Sequence, residues 1–283
     1  MPPTVSIIIP AHNAKAWVEE TVGSVLAQTY TNYELVVVDD GSTDGTLDVV
    51  AQALHGSSAR YTLHRMPRNA GAAAARNLGF DHSTGRYILW LDADDLLTPT
   101  ALHDHVALLD AEPTVGASFA AWDMVWGDSK MAQSEHRPLP DTQRLLAILS
   151  SSSGGWWVPP GGLMLRREAC EAVDAHFGGW SSKLPVMEDV HYYACLLHLG
   201  VEFRPTDKLG IRYRYSPYST SHSASRLAQL YSQLQLLEFW TAKTGLPELR
   251  QRKSRYFALL QEHVQLQILI HPAATPAQGG GST

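Results

Sequence analysis

The first third of the chain alternates short apolar runs with amphipathic stretches. Val5 to Ile9 is a short β-branched run, and Leu35 to Val38 and Tyr87 to Leu91 are two more short apolar runs; they are ended by Pro10, by Asp39 with Asp40, and by Asp92. Short runs of this kind predict strands buried on both faces, as in a parallel sheet. Between them, Trp17 to Ala27 places Val18, Val22, Val25 and Leu26 on one helical face, and Thr46 to Leu54 follows a start signal at Asp44. Gly71 to Phe80 reads as an alanine-rich helix, and Thr98 with Pro99 reads as an N-cap followed by proline at the first helical position. This alternation predicts an α/β fold with a right-handed, doubly wound, mostly parallel, Rossmann-like sheet. Such sheets bind ligands outside the carboxyl ends of their strands. Polar residues gather there: Pro10, Ala11 and Asn13 after the first strand, Asp39 to Asp44 after the second, Arg68 to Gly71 after Tyr61 to His64, and Asp92 to Asp95 after the last. Four loops are expected to face one crevice.

From about Val115 the pattern loosens. A segment rich in Ser, Gly, Trp and Pro, Ser150 to Gly162, leads into an expected strand over Leu163 to Leu165, a helix from Arg167, a helix over Glu188 to His198 and a strand near Ile211 to Tyr215. Beyond Ser225 long helices are expected, with Leu227, Leu230, Leu234 and Leu237 in 3-4-3 spacing and an apolar face over Tyr256 to Ile270. The chain thus divides into two halves of one domain, 1–120 and 121–224, a C-terminal helical extension, 225–271, and a tail, 272–283, expected to be disordered.

Composition narrows the chemistry. The 283 residues are 45% apolar with 22 Lys+Arg against 28 Asp+Glu, a net charge of −6, which fits a folded domain and excludes disorder as the main state. An acidic chain lacks the basic stripe of a nucleic-acid binder, so no nucleic-acid partner is expected, and handling phosphate would require a metal ion. The two cysteines, Cys170 and Cys195, are too few for a disulfide framework and fit a reducing cytoplasm. Met1 to Pro10 lacks the signature of a signal peptide, and no window of about 18 apolar residues predicts a membrane span.

Three loop motifs carry candidate chemistry. Asp92, Asp94 and Asp95 place three carboxylates within four positions; like charges that close raise each other's pKa unless a cation intervenes, and Mg²⁺ or Mn²⁺ suits oxygen ligands while leaving positions for phosphates. The alternative is a polar turn before the next helix. Asp39 and Asp40 precede a Gly41 that lets a ligand approach the backbone; either acid can accept N–H groups from a base or O–H groups from a ribose, or tie down its own turn. Asp44 reads as an N-cap rather than a ligand. Gly71 and the small residues after it open a helix N-terminus to an anion, with Arg76 placed to pair with phosphate or to sit in a surface ion pair.

Taken together, Ser6-Ile7-Ile8-Ile9-Pro10-Ala11-His12-Asn13, the acidic loop Val37 to Thr46, Asn69-x-Gly71 with Arg76-Asn77, Asp92-x-Asp94-Asp95 and Glu188-Asp189 resemble the family 2 glycosyltransferases, inverting enzymes of the GT-A fold. The resemblance runs from about residue 4 to 221. It implies a sugar moved from a nucleotide-diphosphate donor, UDP-sugar being the expected one, to a carbohydrate, lipid-linked or other hydroxyl acceptor. Pro10, Ala11, Asn13 and Asp40 would hold the nucleotide, with Asn69, Gly71 and Arg76 lining its pocket. Asp92 would lie near the ribose or sugar, Asp94 with Asp95 would hold the metal, and Asp189 would be the general base, with Glu188 beside it facing the acceptor. The family often has a metal-ligating histidine after a Tyr-Arg pair. Here Tyr213-Arg214-Tyr215 leads into Ser216, and His222 is the candidate substitute.

Residues outside that pattern leave choices open. Trp156 and Trp157 either stack on acceptor sugars or pack in the core. Glu188 and Asp189 also suit a first helical turn on electrostatic grounds. The C-terminal helices could pack on the catalytic domain, form a homodimer seam, or contact the inner face of a membrane peripherally. The competing functions are a sugar-nucleotide pyrophosphorylase, whose glycine-rich basic loop is absent after Ile9, a phosphoacceptor receiver, whose acids would follow the first strand, and a nucleotide-binding pseudoenzyme.

Overall fold

The structure is a computed structural model that describes residues 4–126, 129–133, 158–184, 186–215 and 225–270. The candidates Trp156, Trp157 and His222 and the tail from 272 lie outside the described residues. The chain forms two compact units, Met1–Ser223 and Ala224–Thr283.

In the first unit, β1 (Val5–Ala11), β2 (Tyr33–Asp39), β3 (Arg60–Arg65) and β4 (Tyr87–Trp90) are parallel, with β1 between β2 and β4 and β3 outside β2. All seven residues of β1 and of β2 are buried, including the polar Ser6, Glu34 and Asp39 as well as the apolar runs that predict burial. Helices α1 (Val18–Leu26) and α2 (Thr46–Leu54) place Val18, Val22, Val25, Val50 and Leu54 in the same core cluster as Ile7, Ile9, Leu35 and Val37. Helix α3 (Ala72–Asp81) covers the opposite face, where a Cβ on Gly79 would fall on Ile8. The sheet is therefore wound on both sides, and its parallel half ends all its strands at one edge.

The second half of the sheet mixes directions. After β5 (Leu96–Leu97) and α4 (Ala101–Ala111) come β6 (Ala117–Trp126), β7 (Ser129–Gln133) and β8 (Leu163–Arg166), then α5 (Arg167–Phe177), α6 (Glu188–His198) and β9 (Phe203–Arg214). The order across the sheet is β3-β2-β1-β4-β8-β6-β9-β5, with β7 on β6. Strand β8 is antiparallel to both β4 and β6, β6 runs parallel to β9, and β5 is antiparallel to β9.

Two start signals sit differently from expectation. Helix α4 begins at Ala101 with Thr100 in the N-cap position, because the Thr98 hydroxyl is committed to β9, donating to the Leu209 carbonyl at 2.7 Å. Gly45, at φ +87°, takes the N-cap position of α2, while Asp44 Oδ1 accepts the Thr46 N–H at 2.9 Å from one residue further back.

Helix α4 also carries a buried histidine. His105 is 1% exposed, with Nδ1 2.8 Å from Ser118 Oγ, and burial pushes its pKa down to about 3. The folded chain thus keeps His105 neutral down to that pH, whereas the unfolded chain protonates it near 6.5. Its contribution to stability is complete above about pH 6.5 and is lost as pH falls toward 3. In His105→Leu this proton uptake on unfolding disappears. Urea titrations should show the variant gaining on the wild type by about 1.4 kcal/mol per pH unit between pH 6 and 4; parallel pH curves would exclude a neutral, buried His105.

The second unit is a pair of helices, α7 (Arg226–Thr244) and α8 (Pro247–Ile270). Ser225 Oγ caps α7 by accepting the Ala228 N–H at 3.1 Å, and Gly245 at φ +69° ends it. Lys253 of α8 pairs with Glu238 of α7 at 2.9 Å. Leu230, Leu234 and Leu237 are buried as their spacing predicts, but Leu227, at the same helix's first turn, is 44% exposed. Among the described residues no helix is long and apolar enough to cross a membrane.

Candidate active site

Three loops at the carboxyl edge of the sheet are stitched to one another. Asn13, at φ +49°, turns the chain out of β1; its N–H donates to Ser42 Oγ at 2.9 Å and its Oδ1 accepts the Thr43 N–H at 3.0 Å. His12 Nδ1 lies 2.7 Å from the Asp40 carbonyl, which can only accept, so the proton of that ring sits on Nδ1. Asp40 is buried, and its two carboxylate oxygens accept the N–H groups of Ala70 and Gly71, each at 2.7 Å. Gly41 has φ +68°, and a Cβ there would lie 2.7 Å from the Arg68 carbonyl carbon, so the loops meet this closely only with glycine.

The result is a pocket of about 330 Å³. Pro10, Ala11, Asp40 and the segment Asn69 to Ala73 form one side, and Ser182, Leu184, Val186 and Glu188 form the other. The start of α3 lies in the first wall, so backbone N–H groups without intrahelical partners are available to an anion.

The acidic loop is joined to this pocket through Arg76. Its Nη2 donates to Asp92 Oδ1 at 2.7 Å and its Nη1 to Glu188 Oε1 at 2.9 Å, and its guanidinium lies 4.4 Å from the centroid of the Trp180 ring. Arg76 is only 3% exposed. Burial disfavours its charge, but Asp92 and Glu188 outweigh that and hold its pKa above the usual value. The ion pair considered from sequence is therefore present but internal, and it involves two carboxylates.

Asp94 is pushed up to about pKa 6, by burial first and then by Asp92. Asp95 is fully buried; burial, then Asp94 and Asp92, hold its carboxyl well above the ordinary range. Its Oδ1 accepts the Arg214 N–H at 2.9 Å, and its Oδ2 has no hydrogen-bond partner among the described residues. The Arg214 side chain is itself held by Glu20 at 2.6 Å and lies 4.6 Å from the Trp17 ring centroid. Asp189 stands in the first turn of α6 and accepts the Val190 N–H at 2.7 Å. The residue before that helix, Met187, has φ +69°, a left-handed conformation that costs a side-chain-bearing residue energy and recurs at functional sites.

The structure thus gathers Pro10, Ala11, Asp40, Asn69, Gly71 and Glu188 around one pocket and ties Arg76 and Asp92 to it. Asn13 braces two of the loops, while Asp94, Asp95 and Asp189 are not part of the pocket lining. Sequence reasoning did not single out the wall from Ser182 to Val186, or Trp180. The pair Gly178-Gly179 before Trp180 was the available signal, since two glycines with positive φ mark a tight turn presenting the tryptophan. Among the described residues no group of three or more His, Cys, Asp or Glu side chains can hold a metal by itself. The carboxylate oxygens of Asp92 and Asp94, the raised pKa of Asp94 and the unpartnered oxygen of Asp95 nonetheless fit a hard divalent cation that would complete its shell with other oxygens.

Residues 6–174, more than half of the chain, match the family model for Glycosyl transferase family 2. TuaG of Bacillus subtilis, a glycosyltransferase named for teichuronic acid biosynthesis, is 36% identical over 126 residues, which are 44% of this chain and 49% of TuaG. The chain therefore matches about half the length of that relative. Among solved structures, residues 1–349 of S. aureus TarS in complex with UDP-GlcNAc superpose with a TM-score of 0.65 at 19% identity, over 94% of this chain and 72% of that one. The mannosyltransferase PcManGT from Pyrobaculum calidifontis, in complex with GDP-Man and Mn²⁺, superposes with a TM-score of 0.61 at 23% identity, over 92% and 70%. The architecture is that of the GT-A fold, and the chain belongs to glycosyl transferase family 2.

Proposed function

We propose that this chain is an inverting glycosyltransferase that moves a sugar from a UDP-linked donor to an acceptor hydroxyl, with Mn²⁺ or Mg²⁺ as cofactor. The observation that carries the reading is the buried bridge through Arg76, which couples the acidic loop to a pocket built from three sheet-edge loops. UDP-GlcNAc in the TarS complex and GDP-Man with Mn²⁺ in the PcManGT complex support the donor class and the metal.

In this reading the nucleoside occupies the side of the pocket formed by Pro10, Ala11 and Asn69. Asp40 shapes that side rather than reading the base, because both of its oxygens are engaged by backbone N–H groups. The diphosphate faces the N-terminus of α3, whose amides favour negative charge. Asp94, with Asp92, would hold the cation, which supplies Lewis-acid stabilisation of the charge developing on the leaving diphosphate. As the acceptor oxygen bonds to the anomeric carbon, the bond from that carbon to the phosphate oxygen breaks on the opposite side. The acceptor proton passes to Asp189, a positioned carboxylate. Glu188 is less suited to that role, since the Arg76 guanidinium already engages its Oε1.

Calorimetry and thermal shift with UDP, GDP and Mn²⁺ test the donor site. UDP with Mn²⁺ should raise the melting temperature by several degrees, and EDTA should abolish most of the gain. The pH dependence follows from Asp94. Without a cation, the folded chain retains this proton up to about pH 6, whereas an unfolded aspartate releases it near 3.8, so this group makes the fold less stable as pH rises through that window. A cation competes with that proton, so the Mn²⁺-dependent gain should grow from pH 5 to 7 and then level off. No response to any nucleotide, with or without Mn²⁺, would rule out the donor site.

A further inference from the structure

The residue after Arg76 is absent from the donor pocket, yet it makes a two-point contact with the turn that precedes the far wall. Asn77 Nδ2 donates to the Trp180 carbonyl at 2.9 Å, and its Oδ1 accepts the Trp180 N–H at 2.8 Å. Gly179 has φ +74°, and a Cβ there would lie 2.7 Å from Asn77 Oδ1, so the contact requires glycine at this position. Held in this way, Trp180 is 3% exposed. The Tyr192 ring stacks on it at 4.3 Å and 14°, and the Arg76 guanidinium lies 4.4 Å from its centroid. Both the phenol and the cation thus lie within stacking range of the same indole. From Trp180 the chain runs on into Ser182, Leu184, Val186 and Glu188, the far wall of the pocket.

We propose that Trp180, pinned by Asn77, is a positioning residue for glycosyl transfer: it fixes the Arg76 guanidinium where it can bridge Asp92 and Glu188. The inference rests on the catalytic reading above. An arginine has a long, flexible stem, and a solvated one would sample many rotamers. The indole face fills one side of the guanidinium plane by cation–π attraction while the two carboxylates take its edge. With the platform removed, Arg76 can leave one carboxylate for water, and the pair at the junction of pocket and acidic loop loses its fixed spacing.

The test compares Trp180→Phe, Trp180→Leu and Asn77→Asp with the wild type. Turnover is read as UDP release from UDP-GlcNAc and UDP-Glc with Mn²⁺, at a temperature where every variant is folded. Trp180→Leu and Asn77→Asp should lower kcat at least tenfold with the donor KM within about twofold, and Trp180→Phe, which keeps an aromatic face, should stay within about threefold of wild type. Unchanged kcat in folded Trp180→Leu and Asn77→Asp overturns the proposal, as does a loss that Trp180→Phe shares in full. The contact is also read without turnover, by NMR of the Arg76 Nε–H, which is buried. Its solvent exchange should accelerate at least tenfold in Trp180→Leu and Asn77→Asp; unchanged exchange in both overturns the proposal whatever the activity. Accelerated exchange in a protein whose wild type releases UDP from neither donor overturns the catalytic reading on which the proposal rests.

Discussion

Replacing Arg76 with leucine should destabilise the chain by about 3 kcal/mol, the lower end of the 3–5 kcal/mol range for breaking a buried ion pair from one side. The cost arises from what is left behind. Asp92 and Glu188 were placed to face a shared cation; without it they face each other, and the isobutyl group offers no donor to either. Their side chains keep 28% and 21% exposure, so water can reach both, which is why the lower end applies. Arg76→Lys should fall between the two, because an ammonium is a compact charge that cannot address two carboxylates with a rigid planar fork. Urea titration measures the effect: the midpoint should fall with the slope unchanged. Activity should fall more steeply than stability, by a factor of about 10² or more in kcat/KM, since the same guanidinium fixes the spacing between the acidic loop and the first turn of α6. A leucine variant with the wild-type midpoint would show that the bridge contributes nothing to the fold.

That bridge also shows where sequence reading reaches its limit. Strands β1, β2 and β4 were legible because each is built around a short, largely apolar run, and the loops after them because Gly41, Gly71 and a cluster of aspartates have few uses other than tight turns and ligands. Strand β6 was not legible: Ala117 to Trp126 includes Ser118 and Asp123, and its burial comes from β8 and β9 on either side rather than from its own pattern. Strand β9 was expected only near Ile211 to Tyr215, since Pro205, Asp207 and Lys208 are poor strand formers. The structure extends it back to Phe203, with register shifts against β6 and a left-handed Asp207 absorbing the irregularity. At the site, the candidates could be named one at a time, but their pairing could not. That Arg76 would meet Asp92 and Glu188, 16 and 112 positions away, depends on the fold bringing α3, the loop after β4 and the start of α6 together, which no local pattern encodes. For Trp180 the two preceding glycines signal a turn, but its contacts with Asn77 and Arg76, about a hundred positions away, do not show in the local sequence.

Asp189→Asn should reduce glycosyl transfer by about 10²–10⁴-fold, the usual contribution of a positioned general base, while UDP·Mn²⁺ binds within twofold of the wild type. Asparagine keeps the size and the acceptor oxygen of aspartate, so the 2.7 Å contact with the Val190 N–H can persist and α6 still begins at Glu188. What is lost is the negative charge and with it the proton-accepting capacity. Loss of one acid from a first helical turn should cost only about 0.3–1 kcal/mol of stability, too little to explain a hundredfold change in rate. The base acts on the acceptor, not on the donor, so calorimetric affinity for UDP with Mn²⁺ separates the two roles. Transfer retained within tenfold would remove Asp189 from catalysis. Loss of nucleotide affinity instead would move it into the donor site, and Glu188, freed from Arg76 on substrate binding, would become the residue to test next.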